Sequence, residues 1–221
     1  QVTGAEPAGV VFTGSGTEAN NLSLRGARRA RVLASAVEHV SVLKAAPDIE
    51  EIPVDGEGIV SLEALDALLA DDVRPALVSV MLANNETGVI QPLADVSAIA
   101  KKHGALVHCD AVQAAGKIPF DIKALGADMI SLSAHKIGGP AGVGALVLAG
   151  ELSLQGILRG GGQERGRRAG TENVSGIAGF GAAARAALDG LSDFARLASW
   201  RDRSEAGLGK VAGVRIFGTG G

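Results

Sequence analysis

The chain has 221 residues, of which 47% are apolar and 20% are charged, and its formal net charge is −3. This composition is ordinary for a globular protein large enough to bury a substantial core. The small negative charge gives no reason to expect a nucleic acid or a membrane surface as a partner, and no apolar run reaches the length of a membrane span. The single cysteine, Cys109, excludes a framework of internal disulfides and favours a reducing, cytoplasmic compartment.

Short apolar runs alternate with helical patterns from residue 10 to about residue 150. We predict strands over 10–13, 31–35, 49–53, 76–83, 105–110, 127–133 and 142–148. Near-continuous apolar runs such as the fourth are typical of a parallel sheet that is covered on both faces. The last strand is expected at the edge or as its antiparallel neighbour. The pattern predicts an α/β fold with a doubly wound, mostly parallel sheet and a ligand crevice at the strands' carboxyl ends.

A turn rich in Gly, Ser and Thr follows the first strand and places Gly16 and Thr17 in front of a helix. A strand, such a turn and a helix start together aim backbone N–H groups at an anion. The spacing matches neither a Walker A loop nor a dinucleotide fingerprint. A phosphate cup and an ordinary capped helix are therefore both open at this point.

Polar side chains stand at or just beyond the ends of several predicted strands. They are Thr17, His39, Asn85, Asp110, Gln113, Ser133, His135 and Lys136. A carboxylate such as Asp110 at the end of a buried strand is costly unless a cation meets it. A lysine amine must be desolvated or set near other cations before it attacks a carbonyl, and Lys136 taken alone is better explained as a solvated charge.

One ligand would use all of these groups at once. Pyridoxal phosphate (PLP) has an aldehyde, a phosphate and a ring nitrogen that can be protonated, so it needs an amine, a phosphate cup and an acid. Asp110 is explained if it faces that ring cation. Metal chemistry fits less well, because the four histidines do not form a ligand spacing with carboxylates. There is no Gly-x-Ser-x-Gly elbow, so an esterase would have no nucleophile.

The last third of the chain changes character. A loop rich in Gly and Arg covers 156–173, where it could meet a phosphate or a carboxylate or could simply be solvated. Helices are predicted over 173–188 and 194–208, and a strand over 214–217. We expect a large cofactor-binding domain over 1–212 and the first strand of a smaller domain over 213–221. Since the sequence lacks an initial Met and stops after that strand, we expect it to be a piece of a longer protein.

Six motifs occur in an order that resembles one known family. They are Phe12-Thr13-Gly14-Ser15-Gly16-Thr17-Glu18-Ala19-Asn20-Asn21, Glu38-His39, Asn84-Asn85-Glu86-Thr87-Gly88, His108-Cys109-Asp110-Ala111-Val112-Gln113, Ser131-Leu132-Ser133-Ala134-His135-Lys136 and Arg168-Ala169-Gly170-Thr171-Glu172-Asn173. With these motifs the chain resembles the cysteine desulfurases of the NifS and IscS type, in the class V aminotransferase-like branch of the fold-type I PLP enzymes.

The resemblance implies a role for each matching residue. Lys136 would form the Schiff base with the cofactor and help move protons, and Asp110 would pair with the pyridine nitrogen. Gln113 would bind the phenolic oxygen of the ring, and His39 would stack on the ring and share in proton transfer. Asn85 would lie over the cofactor near the substrate carboxylate. The phosphate would be bound by Gly16, Thr17, Ser133 and His135, and by Thr171 from the other subunit of a homodimer.

The implied reaction converts L-cysteine to L-alanine and passes the sulfur to an enzyme cysteine as a persulfide. An iron–sulfur scaffold, a tRNA-modifying protein or another carrier would then receive the sulfur. The family's persulfide cysteine and its substrate-carboxylate arginine are expected downstream of Gly221, and Cys109 inside a strand is better explained as a small buried thiol. This chain by itself is therefore expected to be inactive in sulfur transfer.

Two alternatives stay open. One is a related PLP lyase or aminotransferase, such as a selenocysteine lyase. The other is a non-catalytic scaffold or binding protein that retains the fold.

Overall fold

The protein is described by a computed structural model that covers residues 2–218. Its seven strands in this range are β1 (Val10–Thr13), β2 (Arg31–Ser35), β3 (Glu50–Ile52), β4 (Ala76–Ser79), β5 (Leu106–Asp110), β6 (Met129–Ser133) and β7 (Gly144–Leu148). They form one sheet in the order β1-β7-β6-β5-β4-β2-β3. The strands from β3 to β6 in this order are parallel, whereas β7 runs antiparallel to both β6 and β1. The predicted mostly parallel sheet is confirmed, and β7 is the antiparallel neighbour of the edge strand β1.

Eight α-helices connect and cover these strands in the described range. They are α1 (Gly16–Gly26), α2 (Val40–Leu43), α3 (Leu62–Asp71), α4 (Leu93–Lys102), α5 (Ile122–Leu125), α6 (Val174–Asp189), α7 (Leu191–Ala195) and α8 (Ala198–Leu208). Side-chain caps start several of them: Ser61 accepts from the N–H of Ala64 at the start of α3, and Asn173 accepts from Gly176 at the start of α6. None of the helices between residues 2 and 218 has both the length and the hydropathy of a transmembrane span.

The core lies on both faces of the sheet, because neighbouring residues of a strand point to opposite sides. Leu33 of β2 packs in the layer that also holds residues of α3 and α4. Val32 and Ala34 of the same strand pack in the other layer, together with Leu22 of α1. This two-sided burial explains why the strands read as continuous apolar runs.

Several predicted bounds differ from the structure by one or two residues, and three predicted elements differ by more. The strand predicted over 76–83 ends at Ser79, although the N–H of Val80 still donates to His108 O at 3.1 Å and that of Leu82 to Asp110 O at 3.0 Å. The single helix predicted over 194–208 is divided into α7 and α8. The strand predicted over 214–217 is not formed, and the Arg215 guanidinium lies 4.5 Å from the ring centre of Phe217 instead. Residues 219–221 lie outside the described range, so the second domain stays a prediction.

Candidate active site

A cavity of about 300 Å³ lies at the carboxyl ends of the parallel strands, beside the start of α1. Nine of the ten residues predicted for the site line it: Gly16, Thr17, His39, Asn85, Asp110, Gln113, Ser133, His135 and Lys136. They come from five separate stretches of the sequence. The parallel sheet brings them together because the ends of its strands meet at one edge.

Asp110 forms the floor of this cavity and is almost completely buried. Its Oδ1 accepts a hydrogen bond from Val112 N at 2.9 Å, and its Oδ2 accepts one from Asn20 Nδ2 at 2.7 Å. Burial raises the pKa of Asp110, while these two hydrogen bonds and the nearby His39 oppose the rise. Within residues 2–218, Asp110 takes part in no ion pair. A buried carboxylate on a cavity floor suits a ligand that brings its own cation.

A chain of hydrogen bonds connects Asp110 to His39. The second N–H of the Asn20 amide donates to Ser41 Oγ at 2.8 Å, and Ser41 Oγ lies 2.7 Å from His39 Nδ1. The backbone N–H of Ser41 also donates to this Nδ1, at 3.1 Å, and so caps α2. Because Nδ1 accepts, the hydrogen of the neutral ring lies on Nε2. His39 is thus held in one orientation and one tautomer.

Asn20 and Ser41 were not among the residues predicted for the site. Asn20 follows Thr17 by three positions in α1, so helical spacing places both on the same face. Ser41 follows His39 by two positions. At this spacing the backbone N–H donates to the side chain of the residue that caps the helix start. These two signals were present in the sequence, but the contact with Asp110 spans 90 positions and is visible only in the fold.

The start of α1 provides backbone donors for an anion. Ser15 caps the helix by accepting from Glu18 N at 3.1 Å, whereas the N–H groups of Gly16 and Thr17 have no hydrogen-bond partner within residues 2–218. A Cβ on Gly16 would lie 3.0 Å from Val112 Cγ2 and 3.2 Å from Ser133 Cβ, so glycine permits this close approach. The predicted phosphate cup fits this helix start, which is also capped in the ordinary way.

Lys136 enters the cavity from a short 3₁₀ turn, Ala134–Ile137, that follows β6 directly. Its side chain is exposed, and its amine has no hydrogen-bond or ion-pair partner in the described part of the chain. Ser133 Oγ and His135 Nδ1 lie 2.9 Å apart beside it. Lys136 is therefore an amine without a partner in the described chain, beside two further polar side chains, and its role in catalysis stays a prediction.

Asn85 and Thr171 are both exposed. The Nδ2 of Asn85 donates to Glu86 Oε1 at 2.7 Å. Thr171 lines a separate cavity of about 70 Å³ next to Arg168. Its predicted role requires a second subunit and stays a prediction. Arg168, in the Gly- and Arg-rich loop, pairs with Glu18 at 2.8 Å and so ties that loop to α1.

Glu38 directly precedes His39 in the sequence, and its side chain is buried. Its Oε1 accepts from Ser35 Oγ and from Met81 N, both at 2.6 Å, whereas its Oε2 has no partner within residues 2–218. Burial raises the pKa of Glu38 to about 8, with a further contribution from the charge of Asp110, against the effect of its two hydrogen bonds. This acid therefore carries a proton at neutral pH.

Cys109 is buried on the opposite face of β5 from Asp110 and packs within the core. Burial first, and then the charges of Asp110 and Glu38, raise the pKa of this thiol. Nucleophilic cysteines need a lowered pKa and an exposed position, so Cys109 has the properties of a structural residue.

The family described as aminotransferase class-V matches residues 1–219. The chain belongs to the aminotransferase class-V family. The resemblance inferred from the six motifs is thereby confirmed, and the family implies PLP as cofactor.

Similar members of the aminotransferase class-V family are named as cysteine desulfurases. One from Sinorhizobium fredii is 46% identical over 213 residues, which cover 90% of this chain and 54% of that relative. An IscS-like cysteine desulfurase from Mycobacterium tuberculosis is 40% identical over 223 residues, or 93% of this chain and 57% of that relative. The chain thus spans about half the length of the curated relatives that it matches.

Solved structures from the same family share the fold. A NifS-like protein from Rickettsia africae superposes with a TM-score of 0.91 at 40% identity, over 96% of this chain and 60% of that one. A structure described as SspA in complex with cysteine gives a TM-score of 0.75 at 31% identity, over 83% of this chain and 57% of that one. These structures confirm the fold class predicted from the sequence.

Proposed function

We propose that this chain is the cofactor-binding part of a PLP-dependent cysteine desulfurase. The observation that carries the proposal is that one cavity is lined by both the free amine of Lys136 and the buried carboxylate of Asp110. The Lys136 amine could form a Schiff base with the aldehyde of PLP, and the protonated pyridine nitrogen of PLP would neutralise the Asp110 carboxylate. The unpaired N–H groups of Gly16 and Thr17, together with Ser133 and His135, would hold the phosphate.

The cofactor, once bound, supplies an electron sink for bonds that are broken next to the amino group of a substrate. The protein's own residues then have separate tasks. Asp110 keeps the ring cation in place, and Asn20 keeps Asp110 in place. His39 presents its Nε2–H, while its Nδ1 is fixed by Ser41, so proton exchange takes place on one known atom. The Lys136 amine is available to a ligand because no other group of the described chain binds it.

L-cysteine is the substrate that we propose, because the similar relatives are named cysteine desulfurases and one similar structure is described as a complex with cysteine. The sulfur would be transferred to a cysteine other than Cys109, because the Cys109 thiol is buried on the opposite face of β5 from Asp110. We propose a homodimer in which Thr171 of each chain faces the phosphate bound by the other, and a sulfur-accepting protein, such as an iron–sulfur scaffold, as the further partner.

The test of cofactor binding uses the chain as it stands. PLP added to the purified protein should give a visible absorption band, and borohydride should then fix the cofactor covalently on Lys136, as shown by peptide mass spectrometry. Lys136→Ala should lose both signals. Lys123→Ala, which removes an exposed lysine of α5, should keep them. Absence of the band in the unaltered chain, or its persistence in Lys136→Ala, would refute the assignment.

The test of the reaction uses a protein of the relatives' length. It should release alanine from L-cysteine and carry the sulfur as a persulfide, whereas the 221-residue chain alone should form no persulfide on Cys109. Amino transfer to a keto acid without sulfur release would instead identify an aminotransferase of the same family.

A further inference from the structure

Lys117 contacts a cavity residue without lining the cavity itself. It lies in the turn that follows β5, four positions after Gln113, and its Nζ donates to Gln113 O at 3.0 Å and to Gln113 Oε1 at 2.6 Å. Gly116 has a φ of +71°, which favours glycine and lets the chain turn here. A side chain at this position would also be too close to α6, because its Cβ would lie 2.8 Å from the Cβ of Ala187. The close packing of this turn therefore brings Lys117 back against Gln113.

This contact decides which end of the Gln113 amide faces the cavity. An ammonium group only donates hydrogen bonds, so the atom that it meets must be the carbonyl oxygen. The amide nitrogen then lies at the other end, and it has no hydrogen-bond partner within residues 2–218. Gln113 consequently has two free N–H donors for a ligand, while its oxygen is bound by Lys117.

Lys117 also adds positive charge to this side of the cavity. The side chain is half-buried, and burial followed by the nearby charge of Lys136 lowers the pKa of Lys117. The charge that acts on Lys117 is thus that of Lys136, the amine expected to react with the cofactor. Both the donor end of Gln113 and the neighbouring ammonium groups favour a negatively charged oxygen at this point.

We propose that Lys117 is a positioning residue that fixes Gln113 as a hydrogen-bond donor, so that the cavity selects a ligand with an oxyanion at this position. The inference rests on the proposed PLP function, in which that oxygen is the phenolic oxygen of the cofactor ring. It goes beyond the motifs, because Lys117 belongs to none of them.

The test compares PLP with its deoxy analogue that lacks the phenolic oxygen. Lys117→Met keeps the length of the side chain but no longer holds Gln113, so we expect PLP binding to weaken about tenfold, the value of the one hydrogen bond from Gln113 to a charged oxygen. The analogue should bind equally well to both proteins. Lys117→Arg should restore most of the PLP affinity, and Lys123→Met on the exposed face of α5 should change nothing.

Gln113→Glu provides a second measurement that leaves Lys117 in place. Both oxygens of the new carboxylate accept, so PLP binding should fall by more than tenfold while binding of the analogue changes little. If Lys117→Met weakens PLP and the analogue equally, or weakens neither, the positioning role is refuted. Failure of the unaltered chain to bind PLP would refute the proposed function instead, so the two ideas are separable.

Discussion

Glu38 makes the stability of this protein depend on pH in a direction opposite to that of most acids. Its pKa is raised from an ordinary value of 4.5 to about 8 because the group is buried. Between these values the folded chain keeps the proton and the unfolded chain has lost it. The unfolded state then binds fewer protons, so the free energy of unfolding falls as the pH rises through this window.

The size of the effect follows from the shift. Each pH unit inside the window costs about 1.4 kcal/mol, so Glu38 alone lowers the free energy of unfolding by about 3 kcal/mol between about pH 5 and about pH 7.5. Burial also raises the pKa of Asp110, which acts in the same direction. Burial lowers the pKa of His108 to about 3, and that histidine acts in the opposite direction, destabilising the fold as the pH falls below its ordinary value of 6.5. Only a comparison of variants isolates Glu38.

Glu38→Gln is the informative variant, because its amide keeps an oxygen for Ser35 and Met81 and cannot ionise. Urea unfolding at the two pH values should show that the wild-type stability falls by about 3 kcal/mol more than that of Glu38→Gln. Glu51→Gln replaces an exposed carboxylate of β3 and should follow the wild type. Equal pH dependence in the wild type and Glu38→Gln would show that Glu38 ionises normally and would refute the reasoning.

Two further variants test the sheet and the phosphate cup. Arg31→Met should cost about 3 kcal/mol in urea unfolding, because Arg31 is buried and its guanidinium donates to Glu50 at 2.8 Å and to the carbonyl of Leu68 at 3.0 Å; a loss below about 1 kcal/mol would contradict this. Gly144→Ala should weaken PLP binding about tenfold, because its Cβ would lie 2.4 Å from the carbonyl carbon of Ser15. Gly150→Ala, with open space around it, is the control, and equal PLP affinity in both variants would contradict the prediction.

The sheet could be predicted because its signal is local. Each strand is a short apolar run whose residues are buried on both faces, and turns rich in Gly, Asn or Asp separate these runs from the helices. The break between α7 and α8 could not be predicted in this way. Arg196 and Leu197 keep helical dihedral angles and include no Gly or Pro, so nothing in the local sequence marks the interruption.

The residues that line the cavity were predicted from their places at strand ends, but the residues that support them were not. Asn20, Ser41, Glu38 and Lys117 act through contacts with another side chain, and each of those contacts needs a particular rotamer. Helical spacing could have indicated Asn20, and a four-residue spacing could have indicated Lys117. Glu38 has no such signal, because a Glu beside a His is ordinary on a surface and only the fold shows that this one is buried.

The distribution of charge around the cavity explains why these supporting residues matter. Two acids, Asp110 and Glu38, are buried at one side, and two ionised acids there would repel each other strongly. Because Glu38 stays protonated, Asp110 can carry the single negative charge that a ring cation requires. Lys136 and Lys117 lie near enough to each other for their charges to interact, and their positive charge favours an oxyanion near them. A ligand with a cationic nitrogen at one end and an anionic oxygen near its aldehyde matches this polarity, whereas a neutral ligand of the same shape would leave Asp110 buried without a cationic partner.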